Sequence, residues 1–230
     1  MKLAFVMYDQ FTLLDLAGPV EVLRGWPSAE VYYVATSAAP VTTDSGLQVR
    51  PTMTIDQLRD PDVVVIPGTG RPDLMLADDA LTGWLRDVAN AAQWIASVCT
   101  GAGLLAGAGL LQGRRATTHW AYRAQLASMG ADVVDERFVF DGRIVTAAGV
   151  SAGIDMALAL IGRQFGPEAA KVIQLAIEYD PQPPFDSGSP HKAGGEITGK
   201  SLAGLLAAAR RTAAPGASIP LTLPTATGAL

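Results

Sequence analysis

An α/β fold with an open, mainly parallel sheet covered on both faces by helices is the class this sequence predicts. Three observations carry that expectation. Short runs rich in Val, Ile, Tyr and Phe alternate along the chain with longer helix-like segments. One run, Val63-Val64-Val65-Ile66, is apolar without interruption, as in a strand buried on both faces. Several runs stop abruptly at small or turn-forming residues, as strands do when they feed directly into helices. Ligands of such sheets bind beyond the carboxyl ends of the strands, so residues that follow strands are the candidates for function.

Taken in order, residues 1–8 form a first strand, too short an apolar run before Asp9 for a signal peptide or a membrane span. Asp15 then lies between that strand and a helix whose first turn holds Pro19 and which runs to about Arg24. Residues 31–35 are a second strand, followed by a hairpin around Asp44-Ser45-Gly46. The Val63 run stops at Pro67-Gly68-Thr69-Gly70, and a helix from about Asp73 to Ala91 leads to the next strand. That strand, 94–98, ends at Cys99, and Thr100-Gly101-Ala102-Gly103 carries the chain into a helix. Residues 114–118 are a short strand ending at His119-Trp120, with a helix through Met129 behind it. Strands over 137–140 and 143–146 flank Asp141-Gly142, a two-residue hairpin signal. Gly149-Val150-Ser151-Ala152-Gly153 opens a helix over 154–165, and Pro167 starts another to about Tyr179. The proline-rich stretch 180–190 predicts a rigid extended loop, and 197–211 an Ala/Leu-rich helix. Residues 214–230 lack ionised side chains and predict a loose tail, which divides the chain into one domain over 1–212 and a tail over 213–230.

Composition narrows the function. Over 230 residues, 49% are apolar and the net charge is −5, which provides no electrostatic footprint for nucleic acid or an anionic membrane. A small, weakly polar partner fits better. The single cysteine forms no internal disulfide, which predicts a reducing, cytoplasmic location and a free thiol.

Cys99 sits where a strand turns sharply into a helix, the spacing of a nucleophile elbow with a thiol in place of a hydroxyl. The unpaired N–H groups of the helix start favour negative charge, so the thiol is expected to ionise readily. A small buried hydrophobe is the plain alternative for a lone cysteine, but it does not account for the elbow. Asp15 is open to two readings, a helix-capping carboxylate or an acid/base partner at the same sheet edge. Beside a thiolate its pKa would be raised. Pro67-Gly68-Thr69-Gly70 lacks the ending of a phosphate loop and predicts a tight turn. Its functional version has a Gly68 or Thr69 N–H joining the Thr100 N–H around a developing anion. Gly149-Val150-Ser151-Ala152-Gly153 matches a serine elbow, and Asp180 or Asp186 with His191 would supply the order of a triad. His119 is either a base for the cysteine or a hydrogen-bonded structural histidine. Two distant histidines and one cysteine offer no metal cluster.

Leu14-Asp15-Leu16-Ala17-Gly18-Pro19, Ile66-Pro67-Gly68, Ser97-Val98-Cys99-Thr100-Gly101, the run from Leu110 through Thr117-Thr118-His119-Trp120, and Ala152-Gly153-Ile154-Asp155 together resemble the ThiJ/PfpI superfamily, a branch of the class I glutamine amidotransferase-like proteins. Glu178-Tyr179-Asp180-Pro181-Gln182-Pro183-Pro184-Phe185 and Gly188-Ser189-Pro190 resemble its isocyanide-hydrating branch. The resemblance implies a flavodoxin-like core, a homodimer and no cofactor. It also implies Cys99 as nucleophile, Asp15 as acid/base and Thr100 as a neighbour whose N–H helps bind the intermediate. Peptidase-type relatives carry histidine directly after the cysteine, and Thr100 in that place argues against proteolysis. Two departures stand out: Ala17 replaces an expected threonine, and the Pro67–Gly70 turn is one residue shorter than the usual Pro-Gly-Gly turn.

The implied reaction is addition of water to a small apolar isocyanide through a cysteine thioimidate, in a pocket to which Ala17 and Trp120 contribute. The competing readings are a noncatalytic ligand or redox sensor and a serine hydrolase using Ser151.

Overall fold

The parallel sheet begins with Lys2–Val6 (β1), and Leu13–Leu23 (α1) crosses to Glu30–Ala35 (β2). A small hairpin of Val41–Thr42 (β3) and Gln48–Val49 (β4) leads to the edge strand Met53–Thr54 (β5) and then to Val63–Ile66 (β6). Pro72–Leu76 (α2) and Asp79–Ala89 (α3) precede Trp94–Val98 (β7), which turns through Cys99–Gly101 into Ala102–Gly107 (α4). Arg115–Ala116 (β8), Arg123–Ser128 (α5) and Asp132–Val133 (β9) follow, then the hairpin Phe138–Asp141 (β10) and Ile144–Ala147 (β11). Ala152–Phe165 (α6), Pro167–Ala176 (α7) and Pro190–Thr212 (α8) complete the helices. This computed structural model describes residues 1–213 and 217–224.

The main sheet runs β10-β11-β7-β6-β1-β2-β5, all parallel except β10 against β11. Counting only the long parallel strands, the order is 2-1-3-4-5, the flavodoxin-like order, with its switch point between β1 and β6. Right-handed crossovers in opposite directions from that point place α1 and α3 on opposite faces. α6 packs on α1 and α7, while α4 packs on α2, α3 and α5. Every residue of β6 and β7 is buried, which is why these strands lack polar alternation.

Several elements depart from expectation for local reasons. α1 starts at Leu13, with Thr12 extended before it, so Pro19 lies inside the helix and cannot donate to the Asp15 carbonyl four residues back. Close packing explains the small residues there. A Cβ on Gly18 would stand 2.9 Å from Ile154 Cγ1, and one on Gly153 would stand 3.1 Å from Pro19 Cγ. The helix expected over 73–91 is two, because Asp78 starts the second by accepting the Leu81 N–H at 2.9 Å. The hairpin turn falls one residue later than the Asp141-Gly142 signal, pairing Asp141 with Ile144 and holding Gly142 at φ +63°.

α8 begins at Pro190 rather than near 197, started by Ser189 and broken at Gly194, whose φ is +74°. The tail also departs from expectation where it is described. Leu221 is buried and the Thr222 N–H donates to Ala121 O at 2.8 Å, so 217–224 is docked rather than loose. Residues 214–216 and 225–230 of the expected tail lie outside the described residues.

Candidate active site

Cys99 follows β7 directly with φ +59°, a left-handed conformation unusual for a residue with a side chain, and this turns its Sγ out of line with the strand. Two bonds hold the elbow: its N–H donates to Ala148 O at 2.9 Å, and its carbonyl accepts the Thr118 hydroxyl at 2.6 Å. Gly101 allows the following turn to lie against the end of β6. A Cβ there would stand 2.6 Å from Ile66 O and 2.7 Å from Pro67 O. The turn after β6 is itself fixed, since the Tyr8 hydroxyl donates to Pro67 O and the Thr69 hydroxyl to Gln10 O.

Asp15, in the first turn of α1, is fully buried beneath the cysteine. Its Oδ2 accepts the Gly68 N–H at 2.8 Å, while its Oδ1 has no hydrogen-bond partner among the described residues. It does not cap its own helix, whose preceding Thr12 hydroxyl bonds Asp44. Burial pushes the Asp15 carboxyl up to about 7, opposed by the Gly68 N–H and by the nearby Cys99 thiol.

The thiol departs from expectation. Burial, followed by the Asp15 charge, raises Cys99 well above the ordinary thiol range, although the Val150 and Thr100 N–H groups favour the thiolate. Readily ionising sulfur was expected from the helix start alone, but loss of water outweighs two amides here. The resting pair is therefore a neutral thiol against a carboxyl that titrates near neutrality, an arrangement suited to passing one proton between sulfur and oxygen.

The amides are distributed differently from the sequence reading. Gly68 N–H is engaged by Asp15, and Thr69 N–H donates to Thr100 Oγ1 at 2.7 Å, whose hydroxyl returns a bond to Thr69 O at 2.8 Å. Neither Gly68 nor Thr69 N–H is thus free for a developing anion. Thr100 N–H and Val150 N–H are the amides at the sulfur. Val150 was not singled out from the sequence, although its φ of +24° marks a second tight turn at this sheet edge. Thr118 was also missed as the group holding the elbow, though its place at a strand end opposite Cys99 was visible.

His119 is half-buried at the same cavity, and burial pushes its imidazole down to about 4, with Arg123 adding to the effect. Its Nδ1 accepts the Ala121 N–H at 3.3 Å, so it is a neutral, hydrogen-bonded ring rather than a base for Cys99. The cavity has a volume of about 440 Å³ and is lined by Cys99, Thr100, Thr69, His119 and Val150, with Leu221 opposite. Ala17 and Trp120 do not line it; Trp120 faces a separate cleft against the start of α8.

Ser151 is not a triad member. It is exposed, its Oγ accepts from Arg137 Nη2 at 3.2 Å, and His191 is exposed on α8 and is not among its partners. Among the described residues no group of three His, Cys, Asp or Glu could hold a metal ion.

The model of the DJ-1/PfpI family matches residues 1–163, which carry Asp15, Gly68, Cys99, Thr118 and Val150. The chain belongs to the DJ-1/PfpI family. An isonitrile hydratase from Pseudomonas putida is 40% identical over 215 residues, covering 94% of this chain and 91% of its own length. The HTH-type transcriptional regulator CdhR of Pseudomonas aeruginosa is 31% identical over 184 residues, and the match covers 76% of this chain but 53% of the regulator. Among solved structures, a THiJ/PfpI family protein from Pseudomonas syringae superposes with a TM-score of 0.85 at 36% identity, covering 91% of this chain and 88% of the other. The DJ-1/PfpI assignment agrees with the expected flavodoxin-like sheet. None of the described helices is long and apolar enough to cross a membrane.

Proposed function

We propose that this protein hydrates organic isocyanides, R–NC, to N-substituted formamides. The observation that carries the reading is the Asp15 carboxyl, one oxygen held by Gly68 and the other unpartnered and buried, packed with Cys99 against the Gly68 turn. The similarity to the Pseudomonas putida isonitrile hydratase over nearly the whole chain supports the same reaction. The terminal isocyanide carbon takes up the thiol proton by way of Asp15 as the Cys99 sulfur bonds to it, giving the thioimidate R–N=CH–S. Asp15, again a carboxylate, removes one proton from water as the oxygen adds to that carbon and passes it to the nitrogen, giving R–NH–CH(OH)–S–Cys99. Collapse to the formamide breaks the C–S bond as the hydroxyl's remaining proton passes by way of Asp15 to the sulfur. Thr100 N–H and Val150 N–H stabilise the sulfur whenever it carries charge.

Formation of formamide from para-nitrophenyl isocyanide, lost in Cys99→Ala and Asp15→Asn and retained in Ser151→Ala, is the expected result. Inactivity of the wild type across a panel of aliphatic and aromatic isocyanides would overturn the reading. The similarity to CdhR favours one second reading, a sensor that binds a ligand without turnover. This chain spans about half of that regulator's length, so such a sensor would act through another protein. As in the family resemblance, we read the protein as a homodimer. α7, which has no buried residue and exposes Val172 and Leu175, supplies the apolar face for a second copy.

A further inference from the structure

The cysteine cavity is built from two separate parts of the chain. Its floor, with Cys99, Thr69, Thr100, His119 and Val150, lies within the 1–163 span that the family model matches. Part of its wall lies outside that span and is supplied by Leu205, Ala208, Ala209, Arg211 and Thr212 of α8 and by Leu221. Ala209 and Leu221 are buried, although α8 as a whole is largely exposed.

The segment is tied down on both sides of the cavity. At the end of α8, the Thr212 hydroxyl oxygen accepts from Arg71 Nη1 at 3.4 Å. Arg71 is itself buried and fixed by two bonds to Asp73, at 2.8 and 2.6 Å, directly after the Thr69 turn. On the far side, Thr222 N–H donates to Ala121 O at 2.8 Å, two residues beyond His119. Between these anchors, Leu221 N–H donates to Ile219 O at 2.9 Å, a tight local turn that directs the leucine inward.

We infer that residues 217–224 are the roof of the Cys99 cavity and that Leu221 is a specificity-determining residue, setting the size of the apolar group admitted over the sulfur. For isocyanides this rests on the hydratase reading, with the R group lying against Leu205 and Leu221 while the terminal carbon meets Cys99. In an apolar cavity, removing three carbons from the wall admits a correspondingly larger group, and discrimination changes by about tenfold or more.

The experiment compares Leu221→Ala, Leu221→Trp and Thr222→Pro in the full chain. The last removes the N–H that anchors the roof while leaving the leucine in place. Cys99 alkylation is followed with N-phenylmaleimide and with iodoacetamide, and the ratio of the two rates cancels any change in thiol ionisation. The expected result is a ratio raised about tenfold in Leu221→Ala and in Thr222→Pro and lowered in Leu221→Trp. The same order is expected in kcat/KM for 2-naphthyl isocyanide relative to methyl isocyanide. Should either cavity-widening variant fold poorly by circular dichroism, the other and Leu221→Trp decide the matter. Ratios unchanged in the folded variants would overturn the roof. Alkylation shifts in the variants together with a wild type that turns over no isocyanide would overturn the hydratase reading and leave the roof intact.

Discussion

Gly68 N–H reaches 2.8 Å across the sheet's switch point to Asp15 Oδ2, joining the end of the third parallel strand to the helix that follows the first. This one bond fixes the orientation of the carboxyl group and leaves Oδ1 as the oxygen free for chemistry. The same glycine lies so close to the cysteine that it has no room for a side chain. A Cβ would stand 2.6 Å from Thr100 N, 2.7 Å from Cys99 Cβ and 2.8 Å from Asp15 Oδ2.

Gly68→Ala therefore has to separate groups whose proximity is the site. Formamide production is expected to fall by about 100-fold, since displacements near 1 Å have effects of that order. Circular dichroism is expected to remain native, with a stability loss of about 1–3 kcal/mol from overpacking. Activity within threefold of wild type would show that the Asp15–Cys99 contact is not what limits the reaction.

The pH dependence follows from the pair. With Asp15 raised to about 7 and the thiol well above its usual range, the competent form is the one in which a single proton remains between them. kcat/KM is expected to rise about tenfold per pH unit below 7, level off near neutrality and stay flat through the ordinary thiol range. A stopped-flow profile that already falls between pH 8 and 9 would mean that sulfur ionises earlier than its surroundings imply.

Asp15 also sets a cost on folding with a definite sign. Unfolded, it loses its proton near the ordinary carboxyl value; folded, near 7, so between these values the folded protein holds the extra proton. Stability from this group is full at low pH and declines as pH rises toward 7. Asp15→Asn, which retains an acceptor for Gly68 N–H and removes the buried charge, is expected to be more stable than wild type at pH 8, by up to about 4 kcal/mol. The gain should fade toward pH 4. Equal or lower Tm for the variant at pH 8 would contradict this.

Much of this architecture is legible from residue order. The apolar runs mark β6 and β7 because both faces of those strands are covered, and the small residues after Cys99 mark the elbow because backbone carbonyls of β6 lie against it. The switch-point position of Asp15 follows once the strands are counted. What the pattern does not disclose are contacts made across long sequence separations. Pro19 looked like a helix start because it suits a first turn, whereas packing of α1 on α6 overrides its cost inside the helix. Gly68 and Thr69 amides looked available, but their partners lie 53 and 31 residues away. Ala17 and Trp120 are apolar and near the right strand ends, yet the cavity wall comes from Leu205, in the expected 197–211 helix, and from Leu221, in a stretch whose composition indicated a loose tail.

The exposed face of α7 carries its own expectation. If Val172 and Leu175 meet a second copy, Leu175→Lys places a charge in an apolar contact and shifts the protein from dimer to monomer in sedimentation velocity at micromolar concentration. Unchanged sedimentation in Val172→Lys and Leu175→Lys alike would exclude this helix as the interface.

Thr118 separates the elbow's geometry from its chemistry. Its hydroxyl donates to the Cys99 carbonyl, while the Cys99 amide is held by Ala148, so the two bonds clamp a residue whose φ of +59° is unfavourable for any side chain. Thr118→Val keeps the volume but leaves a buried carbonyl without its donor, which costs about 1–3 kcal/mol. The strained turn then relaxes and Sγ moves away from Asp15, so kcat is expected to fall about tenfold with KM little changed. Thr118→Ser restores the donor and is expected to recover most of kcat, although it loses a methyl group from the core. A purely structural role would lower Tm equally in both variants and leave kcat of the folded fraction untouched, so steady-state kinetics well below Tm distinguishes the two.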